Sequence, residues 1–165
     1  MAKFSNLENF DKLDINTRKK TMPFDVITGA DVHDGSIILN IESIIQNYNS
    51  DLKVFKVKRI AHIKPGKHGS ARCDVSLKDL FLNTTKNCSF KLSDLIVQPV
   101  LTRGVISICN DEFSNNVVGN VIDTSDVEAV EFFSEVIMTK DDLDGIQISN
   151  SEVKFTTWGP FLKIL

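Results

Sequence analysis

The feature that most constrains the fold is a strict alternation of apolar and polar residues directly after a glycine-rich loop. The alternating run reads Ala71, Arg72, Cys73, Asp74, Val75, Ser76, Leu77 and Lys78. A period of two is typical of a β-strand with one buried face. The segment before the loop, LKVFKVKRIAHI, is rich in β-branched and aromatic residues, which also favours a strand. We expect Lys56 and Lys58 on one face of that strand, and a β-hairpin with the loop at its tip.

Short β-rich runs separated by turn residues continue along most of the chain. They include FDVIT, SIILNI, LIVQPVL, GVISICN and NNVVGNVID. GIQIS and EVKFTTW, separated by Asn150 and Ser151, are expected to form a final hairpin-like pair. Ser125 and Glu128 have capping-box spacing before a short helical run. The pattern predicts an all-β protein whose C-terminal half is a small five-stranded barrel of the oligonucleotide-binding (OB) type with one short helix.

Two segments do not fit this β-rich pattern. Residues 1–20 are polar, end in the charged run TRKK and have no clean hydrophobic period, so they are expected to form a flexible N-terminal arm. The segment NIESIIQNYNSD, centred on residues 41–51, is expected to be an insertion. The chain has no apolar stretch typical of a secretion signal or a membrane span, so we expect a cytoplasmic protein without a membrane partner.

Charge is distributed unevenly along the chain. From Lys53 to Lys91 there are ten lysines and arginines but two acidic residues, whereas Leu101–Leu165 contains four basic and eleven acidic residues. A basic segment beside an acidic remainder favours a nucleic-acid-binding surface. Basic residues that decorate the outer faces of strands would give the same counts, so composition alone leaves both interpretations open.

Residue types that could support catalysis or metal binding are present, but not in a pattern that predicts either. Three cysteines without a C-x-x-C pair indicate free, buried thiols, and three scattered histidines lack ligand spacing. Paired acids such as Asp141 and Asp142 lie in turn-like contexts. Trp158 and the phenylalanines near it could stack on bases, yet core packing is the more frequent role of such residues. We therefore expect no enzyme, metal or cofactor.

The glycine-rich loop places one lysine, Lys67, at its centre. Pro65 fixes its own φ angle, and Gly66 and Gly69 permit backbone geometries closed to other residues, so we expect a tight, projecting turn. A solvated ammonium at such a tip is a poor nucleophile at neutral pH, but it can bind phosphate or be modified. His68 beside it could donate to phosphate or shape the tip.

A phosphate-binding P-loop is the main alternative for this loop. The pattern G-x-x-x-x-G-K-[ST] fails at two positions, because Ala61 replaces the first glycine and His68 replaces the magnesium-binding hydroxyl. A P-loop must also open a helix, whereas the residues that follow alternate as a strand. Nucleotide hydrolysis is therefore not expected.

The loop KPGKHGSAR, followed by DLF, resembles the modification loop of the translation initiation factor 5A family, the archaeal and eukaryotic relatives of bacterial elongation factor P. The family pattern K-x-G-K-H-G-x-A-[KR] is filled by Lys64, Gly66, Lys67, His68, Gly69, Ala71 and Arg72. TMPF and DGSIILN resemble the family's first two strands. Ser70 stands where eukaryotic members have histidine, and the C-terminal half does not align, so the chain is identified as a divergent member.

The resemblance implies a two-domain fold and a modified lysine. Residues 21–92 would form an SH3-like barrel that carries the loop, and residues 93–165 would form the OB-fold barrel. Lys67 would be converted to hypusine, through an aminobutyl group from spermidine and then hydroxylation, by deoxyhypusine synthase and deoxyhypusine hydroxylase. The modification loop would comprise Lys64, Pro65, Gly66, Lys67, His68, Gly69 and Ser70.

The resemblance also implies a role on the ribosome. A hypusine probe would enter at the exit-tRNA site and position peptidyl-tRNA for peptide-bond formation at proline-rich stalls and for termination. Contacts with rRNA, ribosomal proteins and peptidyl-tRNA would involve basic residues, for which the candidates are Lys56, Lys58, Arg59 and Arg72. The alternative is an unmodified two-barrel homologue with an RNA-binding or structural role.

Overall fold

Antiparallel strands in two separate units make up most of the chain. The computed structural model describes residues 3–4, 10–40, 48, 51–64, 71–110, 116–131 and 133–165. The first unit, here called the hairpin unit, comprises Phe24–Gln46 and Asp51–Val100. The second, called the C-terminal unit, comprises Met1–Pro23, Asn47–Ser50 and Leu101–Leu165. The all-β prediction is confirmed.

The hairpin unit has a four-stranded sheet and a two-stranded sheet. Its strands are β2 (Phe24–Thr28), β3 (Ile37–Leu39), β4 (Val54–Ile63), β5 (Arg72–Asp79), β6 (Thr85–Lys91) and β7 (Leu95–Pro99). The first sheet has the order β3-β4-β5-β6, and β2 pairs with β7 in the second. All of these pairings are antiparallel.

The core of the hairpin unit is built from the apolar positions that alternate along its strands. The predicted inward residues Cys73, Val75 and Leu77 of β5 are at most 3% exposed. They pack with buried residues of neighbouring strands, namely Ile38, Phe55, Val57, Phe90 and Ile96. The predicted face assignment of β5 is therefore confirmed from Arg72 to Lys78, and the polar residues of that run occupy the opposite, outer face of the sheet, whereas Asp79 at the end of the strand is buried.

The C-terminal unit contains a six-stranded antiparallel sheet. Its strands are β1 (Lys3–Phe4), β8 (Thr102–Asn110), β9 (Asn116–Thr124), β10 (Glu135–Thr139), β11 (Glu152–Trp158) and β12 (Phe161–Ile164), in the order β1-β10-β9-β8-β11-β12. Two α-helices, α1 (Ile15–Thr21) and α2 (Val127–Val130), and 3-10 helices at Phe10–Lys12 and Asp141–Leu143 accompany it in the described residues. Trp158, Phe155 and Phe133 are buried, as the core-packing interpretation predicted, and Phe132 lies outside the described residues.

The prediction of a flexible arm over residues 1–20 is wrong for the part of this segment that the structure describes. β1 pairs with β10, and α1 begins after Asp14, whose carboxylate accepts a hydrogen bond from the Thr17 amide at 2.8 Å. The segment is anchored after the helix, where Met22 is 0% exposed and the Trp158 indole N–H donates to the Pro23 carbonyl at 2.7 Å. The Met22 side chain lies close to Gly159, near the far end of the chain, and a local hydrophobic period does not reveal a contact over such a distance in sequence.

The boundary between the two units also differs from the prediction of a break after residue 92. β7 belongs to the hairpin unit because it pairs with β2, in a register that joins Phe24 to Pro99. The hairpin unit therefore runs from Phe24 to Val100 and the chain re-enters the C-terminal unit at Leu101. The segment predicted as an insertion at 41–51 lies outside the described residues except for Tyr48 and Asp51.

Two local predictions in the C-terminal half need correction. The helix α2 is capped by Asp126, whose side chain accepts from the Ala129 amide, while the Ser125 hydroxyl accepts from the Arg103 amide instead. GIQIS forms no strand, and the final hairpin joins β11 to β12. The predicted turn at Asn150 and Ser151 is present, with positive φ at both residues. Within the described residues, no helix has the length and apolarity that a bilayer crossing requires.

Candidate nucleic-acid interface on the β4–β5 hairpin

The hairpin predicted around the glycine-rich loop is present. β4 and β5 pair antiparallel up to the register Ile63 to Arg72, so residues 64–71 connect the two strands. Lys64 is exposed where β4 ends. Pro65, Gly66, Lys67, His68, Gly69 and Ser70 lie outside the described residues, so their roles stay predictions. The paired strands nevertheless fix where this connection starts and ends.

A buried cysteine lies near the loop end of the hairpin. Cys73 lies opposite His62 in the register, with its Sγ 3.5 Å from the His62 Nδ1, and it is 0% exposed. Burial, together with the charge of Asp74, raises the pKa of the Cys73 thiol. A buried protonated thiol is inert, which indicates a structural role. All three cysteines are free, but Cys88 is half-buried and Cys109 is exposed, so the prediction of buried thiols holds for Cys73 alone.

A β-bulge in β4 interrupts the expected alternation. Val57 pairs with Leu77, but the next registered pair is Arg59 with Ser76, so Lys58 is the extra residue. In a bulge of this kind two residues of one strand oppose a single residue of its partner. Lys58 and Arg59 are both exposed and therefore both face the outer side of the sheet. The alternation in the sequence predicted the outward position of Lys58 but not that of Arg59, because it gave no sign of the bulge.

The outer face of the β4–β5–β6 sheet carries a shallow groove of about 740 Å³. Its floor consists of small or polar residues in two rows, one across Arg59, Ser76 and Asn87 and the other across Ala61, Asp74 and Ser89. Lys58 and Arg59 line the groove on the β4 side. The ammonium group of Lys58 and the guanidinium group of Arg59, together with the hydroxyl and amide groups of Ser76, Ser89 and Asn87, form a suitable surface for phosphate oxygens, although the floor also contains the carboxylate of Asp74.

Like charges face each other next to this groove. Lys56 lies directly opposite Lys78 across β4 and β5, and Arg72 lies opposite Lys91 across β5 and β6. Like charges in such positions destabilise a sheet, so a bound polyanion would relieve the repulsion. Sequence reasoning did not single out Asn87, which lines the groove, or Lys78 and Lys91 next to it, because only the register of the strand pairs shows these positions.

One ion pair reduces the positive charge on the outer face of the β4–β5–β6 sheet. The Arg72 Nε lies 3.6 Å from the Asp74 carboxylate, and both side chains are about half exposed, at 56% and 46%. An exposed pair of this kind contributes little stability and can exchange partners with a phosphate. No carboxylate of the described residues forms a salt bridge with Lys56, Lys58, Arg59 or Lys78.

Metal binding has no support in the part of the chain that the structure describes. There, no group of three or more His, Cys, Asp or Glu side chains has an arrangement that could hold a metal ion.

The chain has limited sequence similarity to a known protein. No protein-family model matches the chain. The curated protein "Translation initiation factor 5A" from Korarchaeum cryptofilum (strain OPF8) is 27% identical over 100 residues, which cover 61% of this chain and 70% of that protein.

Two solved structures support the same fold. Eukaryotic translation initiation factor 5A from Methanococcus jannaschii superposes with a TM-score of 0.59 at 15% identity, over 86% of this chain and 92% of that one. The translation initiation factor eif-5a family protein from Naegleria fowleri ATCC 30863 gives a TM-score of 0.53 at 16% identity, over 86% and 96% of the two chains. The prediction of an SH3-like barrel followed by an OB-fold barrel is thereby confirmed.

Proposed function

We propose that the chain is a divergent member of the translation initiation factor 5A family and acts on the ribosome as a hypusine-modified translation factor, a proposal that its similarity to such factors supports. The observation that carries the proposal is the motif KPGKHGSAR, which spans the connection between two firmly paired strands. A hairpin of this kind presents one lysine to a partner enzyme and then to a receptor cavity.

Lys67 is the residue that would be modified. Transfer of an aminobutyl group from spermidine to its amine by deoxyhypusine synthase, followed by hydroxylation by deoxyhypusine hydroxylase, would lengthen the side chain and add a second basic nitrogen. Lys64, Pro65, Gly66, His68, Gly69 and Ser70 would shape the loop for these enzymes. Glycines on both sides of Lys67 in the sequence would let an enzyme approach the amine closely.

On the ribosome the modified lysine would act by positioning. It would reach from the exit-tRNA site towards the acceptor end of peptidyl-tRNA and hold it in the reactive orientation at proline-rich stalls and at termination. Orientation of reactants accelerates a reaction without any acid, base or nucleophile from the protein, so the factor itself would not be an enzyme. With the ribosome as its partner, the protein would act in the cytoplasm.

The basic outer face of the sheet would help to orient the modified Lys67 on the ribosome by binding RNA phosphates. Lys56, Lys58, Arg59 and Arg72 are all exposed on or beside the groove, within reach of an RNA backbone that lies across the sheet. Phosphate contacts fix the orientation of a protein on RNA without reading sequence. The same groove also supports the second candidate function, an unmodified RNA-binding homologue, because its cations do not depend on Lys67.

Binding to ribosomes provides the test of the proposed site. We expect the protein to co-sediment with ribosomes and to be displaced by deacylated tRNA, because both would occupy the exit-tRNA site. The double variant Lys58→Ala/Arg59→Ala is expected to bind about tenfold more weakly at physiological salt, because each lost phosphate contact removes about 0.7 to 0.9 from the salt slope.

The matched control is Lys154→Ala, which removes an exposed lysine from the C-terminal unit and is expected to bind as the wild type does. Ribosome binding that deacylated tRNA does not reduce would contradict the exit-site assignment. Equal binding by the double variant and the wild type would remove the groove from the proposal.

A further inference from the structure

The bulge that turns Lys58 and Arg59 outward is held by a turn from elsewhere in the hairpin unit. The residues just before β3 run alongside β4, where the Gly35 amide donates to the Val57 carbonyl and the Val57 amide donates to the Ser36 carbonyl, both at 2.8 Å. Gly35 has a φ of 88°, a conformation that suits glycine. This turn therefore covers the edge of β4 at the point where the bulge begins.

Asp34 in this turn makes the contact that extends past the bulge. Its Oδ1 accepts a hydrogen bond from the Ile60 amide at 3.0 Å, across 26 residues of sequence. Ile60 directly follows Arg59, so the carboxylate fixes the backbone immediately after the two bulged cations. Hydrogen bonds to a charged acceptor are among the stronger ones in proteins.

The position of Ile60 determines the direction of Arg59. With the bulge, Ile60 pairs with the buried Val75 and packs against the core, while Arg59 pairs with Ser76 on the outer face. A slip by one residue would exchange the two faces, because side chains alternate along a strand. Arg59 would then point towards the core, and the groove would lose a cation.

We propose that Asp34 is a positioning residue for the RNA-binding groove: by anchoring the Ile60 amide it holds the bulge that presents Lys58 and Arg59 together to one RNA segment. The inference rests on the proposed RNA-binding role of this face. It assigns a carboxylate, which by charge alone would repel RNA, a role that increases RNA affinity.

The charge of Asp34 and its positioning role have opposite effects on RNA affinity, so substitutions can tell them apart. Asp34→Asn removes the negative charge but keeps a side-chain oxygen that can accept from Ile60, so its affinity for RNA is expected to equal or exceed that of the wild type. Asp34→Ala removes both the charge and the acceptor. If only the charge of Asp34 matters, both variants bind RNA at least as tightly as the wild type. If positioning matters, Asp34→Ala binds RNA more weakly than Asp34→Asn.

The measurement is binding of a fluorescent oligouridylate as a function of salt, for the wild type, both Asp34 variants and Lys58→Ala/Arg59→Ala. For Asp34→Ala we expect about fourfold weaker binding at physiological salt and a salt slope smaller by about 0.7, which is the loss of one phosphate contact on a single strand. Adding Asp34→Ala to the double variant should cause no further loss, because the cations that it positions are gone. Amide exchange at Ile60 should accelerate in Asp34→Ala and stay slow in Asp34→Asn.

Equal RNA affinity and salt slope for Asp34→Ala and Asp34→Asn would overturn the inference. So would an Asp34→Ala variant whose loss of affinity persists in the background of the double variant. If the wild type and the double variant bind the oligouridylate equally, the proposal that this face binds RNA is wrong, and the inference about Asp34 is then wrong as well. The three results are distinct, and none of them depends on modification of Lys67.

Discussion

Translation of a reporter that contains consecutive prolines is expected to lose its stimulation by this protein when Lys67 is replaced by arginine. Arginine keeps the positive charge but has no primary amine to accept the aminobutyl group, so the probe cannot be extended. We expect the factor-dependent rate at the stall to fall by about tenfold or more, which corresponds to a barrier higher by about 1.4 kcal/mol. The measurement is a reconstituted translation assay with protein isolated from its native source.

A matched control separates loss of modification from a general effect of the substitution. Lys154→Arg makes the same chemical change at an exposed lysine of the C-terminal unit and is expected to keep full stimulation. Stimulation by Lys67→Arg equal to that of the wild type would favour the second candidate, in which the protein acts as a plain RNA-binding homologue.

The largest loss of stability is expected for Trp158→Ala. Trp158 is 0% exposed in the C-terminal unit, and its indole N–H donates to the Pro23 carbonyl at 2.7 Å. Removal of a buried tryptophan costs about 3–5 kcal/mol, because burial is lost and a cavity remains. Trp158→Phe keeps much of the apolar volume but leaves the carbonyl without its donor, so it should cost about 1–3 kcal/mol. Denaturant unfolding measures both free energies.

The comparison variant for this series is Val127→Ala, at a side chain that is 71% exposed in α2. It is expected to change the free energy of unfolding by less than about 0.5 kcal/mol. A Trp158→Ala protein as stable as Val127→Ala would contradict the anchoring of the N-terminal segment through this tryptophan.

The alternating runs were sufficient to predict most strands of the hairpin unit. The period of two in β5 correctly predicted that Cys73, Val75 and Leu77 lie in the core, because the alternation of apolar and polar residues along a regular strand indicates which side chains are buried. In β4 the same argument holds as far as Lys58 and then fails. A bulge is a property of two strands together, and the anchor that fixes it, Asp34, lies 26 residues before Ile60.

The N-terminal segment illustrates a different limit. Asp14, Thr17 and the basic run that ends α1 are ordinary helix start and stop signals, so the helix could have been predicted. Its anchoring could not, because the bond between Trp158 and Pro23 joins residues 135 positions apart. The groove was also only partly predictable: its cations were visible as a basic segment, whereas their arrangement depends on strand register.

The central claim is that the hairpin presents Lys67 for extension by partner enzymes, and peptide mass spectrometry tests it most directly. Protein isolated from its native source should yield a Lys67 peptide heavier by an aminobutyl group and one oxygen, with fragment ions that place the added mass on Lys67. A Lys67 peptide that carries no added mass in abundant native protein would contradict the claim.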